Sequence, residues 1–493
     1  MNSVEKQILG CYTMGATCLQ QASFRIRQGA FAMARSQGKT YEIDMCSGPI
    51  LPKLLQFCMP LMFSSILQLL FNAADIIVVG RFAGDNSLAA VGSTSSIVNL
   101  LVNLFMGLSI GANILAARFY GAREQEGLRQ TVHTAMLMSL VSGVLLAIVG
   151  FFGARTILVW VQSPAEVLDL AALYLRIYFL GMPAAMLYNF GAALLRAVGD
   201  TRRPLYYLTA SGFVNVGLNL VFVIVFHMDV AGVALATVIA QCISAGLVVR
   251  CMMREQGGVH LELRELRIHK ARLKQILQVG LPAGLQSTMF SLSNVVIQSS
   301  VNLFGEIVVA GSAAAGNIEC FVYISMNAFY QGAVSFTSQN YGAGRYERLR
   351  PILYRATGCA IVTGILMGGA SVVFAPTLIN IYSDSPQVIA AGAERLQIIC
   401  LLYFLCGTME VLVGALRGMG YSIMPMIVSL VGICGLRILW VATVFQIPAL
   451  HQVTTVYWSY PISWFLTIVV NICCYVWASK RLKRRIEEQK LRT

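Results

Sequence analysis

The run LLQFCMPLMFSSILQLLFNAADIIVV occupies residues 54–79 and is long and apolar enough to cross a bilayer as one helix. A second such run extends from Val132 to Phe152. The chain of 493 residues is 57% hydrophobic and 12% charged, whereas soluble proteins carry roughly 25% charged residues. This composition excludes a soluble enzyme, a disordered chain and a secreted disulfide scaffold. It predicts an all-α polytopic membrane protein.

Twelve hydrophobic segments of span length follow one another, and the long alternating pattern of a membrane β-barrel is lacking. They cover about residues 52–80, 88–117, 130–153, 166–195, 204–226, 231–250, 273–302, 308–338, 352–374, 388–416, 422–446 and 453–479. Of the 36 lysines and arginines, 31 lie in the two tails and the even-numbered gaps, and only Arg81 and Arg155 lie in odd-numbered gaps. The positive-inside rule then places both termini in the cytoplasm, with the protein in the cell (cytoplasmic) membrane. We therefore interpret the net charge of +14 as a topology signal rather than a nucleic-acid surface.

The chain repeats itself at an offset of about 221 residues. The repeat aligns Pro60 with Pro282, Asn72 with Asn294, Tyr120-Gly121-Ala122 with Tyr341-Gly342-Ala343, and Leu195-Arg196 with Leu416-Arg417. Each unit holds six spans, and this even number gives both halves the same orientation in the membrane. We predict two six-helix bundles related by a pseudo-twofold axis along the membrane normal, with a substrate cleft between them.

The predicted domains follow from the repeat. They are a cytoplasmic N-terminal tail (1–48), an N-terminal lobe (49–253), a cytoplasmic linker (254–271), a C-terminal lobe (272–479) and a basic cytoplasmic tail (480–493). The N-terminal tail lacks the apolar core of a secretory signal. We expect native translation to start at Met33, with residues 1–32 as an upstream extension, and the intact mass of protein from its native locus tests this.

Several segments resemble the multidrug and toxic compound extrusion (MATE) transporters. They are Asn72-Ala-Ala-Asp75 with Val79-Gly80-Arg81, Ala117 to Ala122, Leu195 to Asp200 with Pro204, Ser338 to Ala343, and Leu416 to Gly420 with Pro425. The resemblance covers about residues 45–480 and is strongest to a bacterial branch common in Firmicutes. It implies a monomeric antiporter that exports small cationic or amphipathic compounds against H⁺ or Na⁺ and needs no cofactor. The motifs GxxxxGK[ST], HExxH and GxSxG are lacking, so we expect neither ATP-driven transport nor enzymatic activity.

A polar stripe runs along the first span, where Ser64, Gln68, Asn72 and Asp75 are spaced to share one helix face. A carboxylate at the bilayer centre costs roughly 2.5–3.5 kcal/mol, so a functional role is the default interpretation of Asp75. The resemblance implies that Asp75 is the cation-coupling carboxylate, taking H⁺ or Na⁺, and that the helix bends at Pro60. The alternative is a buried, hydrogen-bonded Asp75 without a transport role.

Three asparagines, Asn189, Asn215 and Asn219, are expected to complete the coupling site. Many family members carry an aspartate at the position of Asn219. An amide there can ligate Na⁺ or hydrogen-bond a protonated Asp75, but it cannot itself take the proton. The alternative is that these asparagines only join helices by hydrogen bonds.

The expected substrate contacts lie on several spans. They are Gln68 and Tyr188 in the first half, and Gln286, Asn294, Glu319, Tyr323 and Glu410 in the second. The two glutamates are suited to neutralise a cationic substrate or carry a proton, and structural pairing with Arg395 or Arg437 is the alternative. We interpret Arg196 and Arg417, at predicted cytoplasmic helix ends, as loop anchors.

The alternative function is a flippase of lipid-linked oligosaccharides or peptidoglycan precursors from the same superfamily. Such a flippase is expected to have a more cationic interior for a pyrophosphate. Here Arg176, Arg395 and Arg437 within spans are opposed by Asp75, Glu319 and Glu410. This balance favours a cationic substrate.

Overall fold

A computed structural model describes residues 41–161, 164–255 and 257–490. The proposed upstream extension, residues 1–32, lies outside this part of the chain. The helices of the described residues belong to one compact unit that begins at Ile43, and the described residues contain no strand.

The first six spans form the N-terminal half. They are α1 (Ile50–Phe82), α2 (Asp85–Ala122), α3 (Gln125–Trp160), α4 (Leu168–Leu180 and Met182–Ala197), α5 (Arg202–Leu220, continued by a π-helical turn at Val221–Val225) and α6 (Asp229–Arg254). The chain bends at Gly181 in α4, where the second segment begins with Met182 and Pro183. A proline has no backbone N–H, so the hydrogen-bond ladder of the helix is interrupted at this point and the two segments are separated.

The second six spans form the C-terminal half. They are α7 (Lys270–Val301), α8 (Glu306–Gly342), α9 (Leu349–Val373), α10 (Pro386–Leu401 and Tyr403–Gly418), α11 (Ile423–Ser429, a π-helical turn at Leu430–Gly435, and Leu436–Ala442) and α12 (Val453–Lys490). A short helix, Ala375–Asn380, precedes α10, and 3₁₀ turns lie at Leu263–Glu265, Asn302–Phe304, Tyr346–Arg348, Val444–Gln446 and Pro448–Leu450. The predicted basic tail is largely a helical continuation of α12.

The number of spans agrees with the sequence prediction. Within the described residues, nine helices are long and apolar enough to cross a membrane, and the bent pairs in α4 (47°) and α10 (43°) raise this number to eleven. The twelfth is α7, a 32-residue helix whose apolar stretches are interrupted by glutamine and serine side chains. The predicted all-α architecture with twelve spans is confirmed.

The two lobes pack closely where α2 of the first half crosses α7 of the second. Gly107 lies against the backbone of Gly284, and Gly111 lies against the backbone of Gly280. A Cβ atom at any of these four positions would overlap main-chain atoms of the opposite helix. Glycine is therefore required here because only a residue without a side chain allows the two backbones to touch.

A second crossing, between α2 and α8, is built from the repeated Tyr-Gly-Ala motif. Gly121 of α2 lies against the backbone of Gln339, and Gly342 of α8 lies against the backbone of Arg118. Residues 118 and 339, like 121 and 342, are matched by the repeat. We call these four residues the α2–α8 contact. Its two-sided symmetry is what the predicted pseudo-twofold relation requires.

Helix α1 is anchored at its ends and loosely packed between them. Its buried residues are Ile50, Leu54, Phe57, Cys58, Leu61, Val78 and Val79, so no residue from 62 to 77 is fully buried. The helix continues through Pro60 without a break. The polar stripe predicted from the sequence lies in this loosely packed middle section.

Candidate functional site

Asp75 of α1 lies beside two asparagines of α5. Its Oδ1 accepts a hydrogen bond from Asn219 Nδ2, and the same amide nitrogen lies 3.4 Å from Asn215 Oδ1. Asn219 is fully buried and Asn215 is 5% exposed. Within the described part of the chain, no lysine or arginine forms an ion pair with Asp75. Neutral amides therefore hold this carboxylate, and its charge is not balanced by a neighbouring cation.

Three further polar residues lie around Asp75. Thr237 of α6 lies beside the Asp75 carboxylate, and its Oγ1, which donates to the Val233 carbonyl at 3.0 Å, accepts a hydrogen bond from Asn215 Nδ2 at 3.4 Å. Gln241, one turn further along α6, lies beside Tyr178 in α4, which in turn is close enough to interact electrostatically with Asp75. We call Asp75, Asn215, Asn219, Thr237, Gln241 and Tyr178 the Asp75 pocket.

Sequence reasoning missed the contribution of α6 to this pocket. A signal was present, because Thr237 and Gln241 are one turn apart and share a face of an otherwise apolar span.

Two amide oxygens of the pocket, Asn219 Oδ1 and Gln241 Oε1, are buried and accept no hydrogen bond from a described residue. Buried carbonyl oxygens normally have a partner, because leaving one unbonded costs about 1–3 kcal/mol. Oxygen atoms of this kind are ligands that hard cations prefer.

The other predicted residues of the first half lie apart from this pocket. Gln68 and Asn72 are exposed on the same helix as Asp75. The Tyr188 hydroxyl donates to the carbonyl of Pro204 at 3.2 Å. Asn189 donates to a carbonyl one turn earlier in its own helix, at 2.8 Å. The structure therefore brings Asn215 and Asn219, but not Asn189, to Asp75.

Glu319 of α8 is paired with Arg395 of α10. Arg395 Nε lies 2.7 Å from Glu319 Oε1 and Nη2 lies 3.0 Å from Oε2, and each residue is 7% exposed. The remaining guanidinium nitrogen donates to Ser312 Oγ at 2.5 Å. Such a bidentate ion pair uses both carboxylate oxygens. This geometry matches the structural alternative for Glu319, because the carboxylate already has a cationic partner.

Gln286 of α7 is likewise engaged within the C-terminal lobe. Its Oε1 accepts a hydrogen bond from Arg417 Nη2 at 2.8 Å, and Arg417 Nη1 donates to Tyr330 Oη at 2.6 Å. Arg417 is only 4% exposed. This arginine therefore does more than anchor a loop, since it joins α7, α8 and α10 inside the lobe.

Glu410 of α10 is the buried acid of the second half that lacks a direct partner. It is 8% exposed, and it makes no hydrogen bond or ion pair with any described residue, although Arg417 is near enough to act on its charge. Tyr323 is 36% exposed and its hydroxyl lies 3.5 Å from Asn327 Nδ2. Asn294 is exposed. Polar groups available to a ligand therefore occur in this lobe as well.

Comparison with known proteins identifies the family. The MatE family profile matches residues 60–221 and again residues 282–443, one match in each half of the repeat. "Probable multidrug resistance protein YoeA" of Bacillus subtilis (strain 168) is 26% identical over 442 residues, which cover 87% of this chain and 95% of that protein. "Multidrug export protein MepA" of Staphylococcus haemolyticus (strain JCSC1435) is 20% identical over 431 residues, covering 87% and 92%.

Solved structures show the same architecture. An outward-facing conformation of a multidrug resistance MATE family transporter of the MOP superfamily superposes with a TM-score of 0.84 at 22% identity, covering 91% of this chain and 99% of that one. The chain belongs to the MATE family of transporters. It is a multi-pass membrane protein that moves small molecules, and it is not an enzyme.

Proposed function

We propose that this protein exports cationic and amphipathic compounds, multidrug substrates among them, by antiport against H⁺ or Na⁺. The observation that carries the proposal is Asp75, a carboxylate within a span that is held by neutral amides and has no cationic partner among the described residues. An uncompensated charge in the bilayer is costly, and an incoming monovalent cation removes that cost. The names of the two relatives support the substrate class.

The coupling cation binds in the Asp75 pocket. Asn219 donates to one carboxylate oxygen of Asp75, which leaves the other oxygen for a proton or for Na⁺. The unpartnered amide oxygens of Asn219 and Gln241 are features that Na⁺ uses and a proton does not. Because the pocket holds one carboxylate, one charge moves per cycle. For an uncharged substrate that inward charge gains about 2.3 kcal/mol per 100 mV, enough to support a roughly fiftyfold concentration gradient. Exchange against a monovalent cationic substrate moves no net charge, so the H⁺ or Na⁺ concentration gradient alone drives it.

Movement of α1 converts this binding event into export. Between residues 62 and 77 no side chain of α1 is fully buried, so few packing contacts oppose a change of its path. Neutralisation of Asp75 allows α1 to bend at or near Pro60, which narrows the first lobe and releases the substrate outside. Rocking of the lobes then resets access.

The lobe contacts support an outward-facing starting state with both termini in the cytoplasm. The α2–α8 contact lies at the helix ends that precede the arginine-bearing turns, with Arg123 after α2 and Arg345 after α8. If these turns are cytoplasmic, as the positive-inside rule predicts, the lobes are closed toward the cytoplasm.

The substrate meets polar groups of both lobes. Gln68, Asn72 and Asn294 are exposed and Tyr323 is partly so, which leaves them available for hydrogen bonds. Glu410 supplies a negative charge that attracts a cationic substrate without competition from an ion-paired arginine. The protein acts as a monomer and has no nucleic-acid partner.

Ethidium efflux by the protein, measured as ethidium uptake into inverted membrane vesicles, tests the proposal, with a pH gradient and a Na⁺ gradient imposed separately. We expect Asp75→Asn to lose gradient-driven efflux. Asp169→Asn is the matched control, because Asp169 has an 82% exposed side chain and only a 3.5 Å contact with Arg155. Full gradient-driven efflux by Asp75→Asn would eliminate the coupling role, and the gradient that drives the unmodified protein identifies the cation.

The flippase alternative receives less support from the charges in the spans. Arg395 is neutralised by Glu319, and Arg176 is exposed and lies over the ring of Phe151. Arg437 is buried with its guanidinium 4.0 Å from the ring of Tyr460. These arginines do not combine into a cationic interior that would hold a pyrophosphate.

A further inference from the structure

Two hydrogen bonds join the lobes at the α2–α8 contact, and the repeat relates them to each other. Gln339 Nε2 of α8 donates to the Ala197 carbonyl at the end of α4, at 2.6 Å. Arg118 Nη2 of α2 donates to the Gly418 carbonyl at the end of α10, at 3.4 Å. Donors and acceptors are both matched by the 221-residue offset. The same interlobe bond is therefore made twice, once from each half.

The segment Ile43–Gly48, just before α1, breaks this symmetry. Met45 in its centre is fully buried and Ile43 is 8% exposed. Asn340 Nδ2 of α8 donates to the Met45 carbonyl at 3.0 Å. On the other side, the backbone of Ile43 lies against Gly199, the positive-φ glycine (φ 95°) of the turn between α4 and α5. The segment thus contacts both lobes directly beside the α2–α8 contact.

Further bonds hold this segment in place. Lys53 Nζ of α1 donates to the carbonyls of Asp44 (2.6 Å) and Ser47 (2.9 Å). Arg348, after α8, donates to the Gly48 carbonyl at 3.0 Å. At the repeat-related position no described segment takes this place, and Gly420 faces the guanidinium of Arg118. One interlobe bond is therefore covered by an extra length of chain, and no described residue covers the other in the same way.

We propose that Ile43–Gly48 is a latch that keeps the two lobes together at this end of the molecule and has to leave before the lobes can separate there. Separation of the α2–α8 contact moves Asn340 away from Gly199, which exposes Met45 and breaks the Asn340 bond. The latch leads directly into α1, the helix that carries Asp75, so movement of α1 and release of the latch are mechanically linked. The identification of this end as cytoplasmic rests on the function proposed above.

Hydrogen–deuterium exchange of the full chain in nanodiscs, without substrate or gradient, tests the latch. Met45→Asp places a charge between the lobes, whereas Met45→Leu preserves the apolar contact and serves as the matched control. We expect Met45→Asp to raise the rate of amide exchange in residues 197–201 and 336–343 by about tenfold, because the loss of one buried hydrogen bond or apolar contact weakens protection by about that factor. Asn340→Ala removes only the hydrogen bond and tests the same idea with a smaller disturbance.

A second readout separates latch release from local unravelling. If the lobes rock, opening at this end closes the opposite end, so amides of residues 68–82 and 306–313 become more protected in Met45→Asp than in Met45→Leu. Unchanged exchange at residues 197–201 and 336–343, or faster exchange there without protection at the opposite end, would overturn the proposal. The measurement involves no transport, so failure of the antiport proposal and failure of the latch are distinguishable.

Discussion

Removing Glu319 alone should destabilise the protein more than removing Glu319 and Arg395 together. In the native lobe the guanidinium makes two bonds to the carboxylate, at 2.7 and 3.0 Å, and both residues are 7% exposed. Glu319→Leu leaves the buried cation with Ser312 and two tyrosine rings, whose centroids lie 5.5 and 6.0 Å away. Breaking a buried pair from one side costs about 3–5 kcal/mol, whereas replacing both partners by apolar groups is often neutral.

The free energy of unfolding in mixed detergent micelles, followed by circular dichroism, provides the measurement. We expect a loss of about 3–5 kcal/mol for Glu319→Leu and recovery of most of that loss in Glu319→Leu/Arg395→Met. We also expect the double variant to bind ethidium as the unmodified protein does, because a paired Glu319 does not need to contact substrate. A loss below about 1 kcal/mol in the single variant, or a stable double variant that no longer binds ethidium, would refute the structural interpretation of Glu319.

Two further predictions concern the contact between the lobes. Gly107→Ala should lower the free energy of unfolding by about 1–3 kcal/mol, because its Cβ would overlap the backbone of Gly284. The control Gly358→Ala has open space around its Cβ and should gain about 0.5–1 kcal/mol from helix propensity, so equal effects in the same unfolding assay would contradict the close approach. The pKa of Asp44 is lowered, since burial raises it but hydrogen bonds from Ser47 and Cys46 and the charge of Lys53 outweigh that effect. The stabilisation contributed by ionised Asp44 is fully present above its unfolded-state pKa and is lost as the pH falls through its lower folded-state pKa. Amide exchange in Ile43–Gly48, corrected for its intrinsic pH dependence, should therefore stay constant from about pH 8 to 5 and rise only below about pH 4. A rise between pH 7 and 5 would be inconsistent with this assignment.

Much of the architecture follows from hydrophobic patterning. A backbone inside a bilayer has to satisfy its own hydrogen bonds, so long apolar runs leave helices as the available structure. The offset of about 221 residues then fixes two equivalent halves, and the matched Tyr-Gly-Ala motifs become the two sides of the α2–α8 contact. Even α7, whose apolar stretches are interrupted by polar side chains, is marked by its alignment with α1.

The Asp75 pocket could be predicted only in part. Asp75, Asn215 and Asn219 lie on helix faces that the sequence shows to be polar, so their meeting follows from the need to avoid lipid. Thr237 and Gln241 were missed because single polar residues in an apolar span are compatible with many orientations of that span. Which face of α6 turns toward α1 depends on packing among all the helices of the lobe.

Sequence alone determined the membrane class, the number of spans, the internal repeat and the rare acids within the spans, because each of these depends on local composition or on spacing along the chain. Only the tertiary structure decided which acids are already paired. Glu319 and Arg395 are 76 residues apart in sequence and bidentate in space, whereas Glu410 has no direct partner among the described residues. Pairing depends on the rotation and depth of helices distant in sequence, and a one-dimensional pattern does not record either of them.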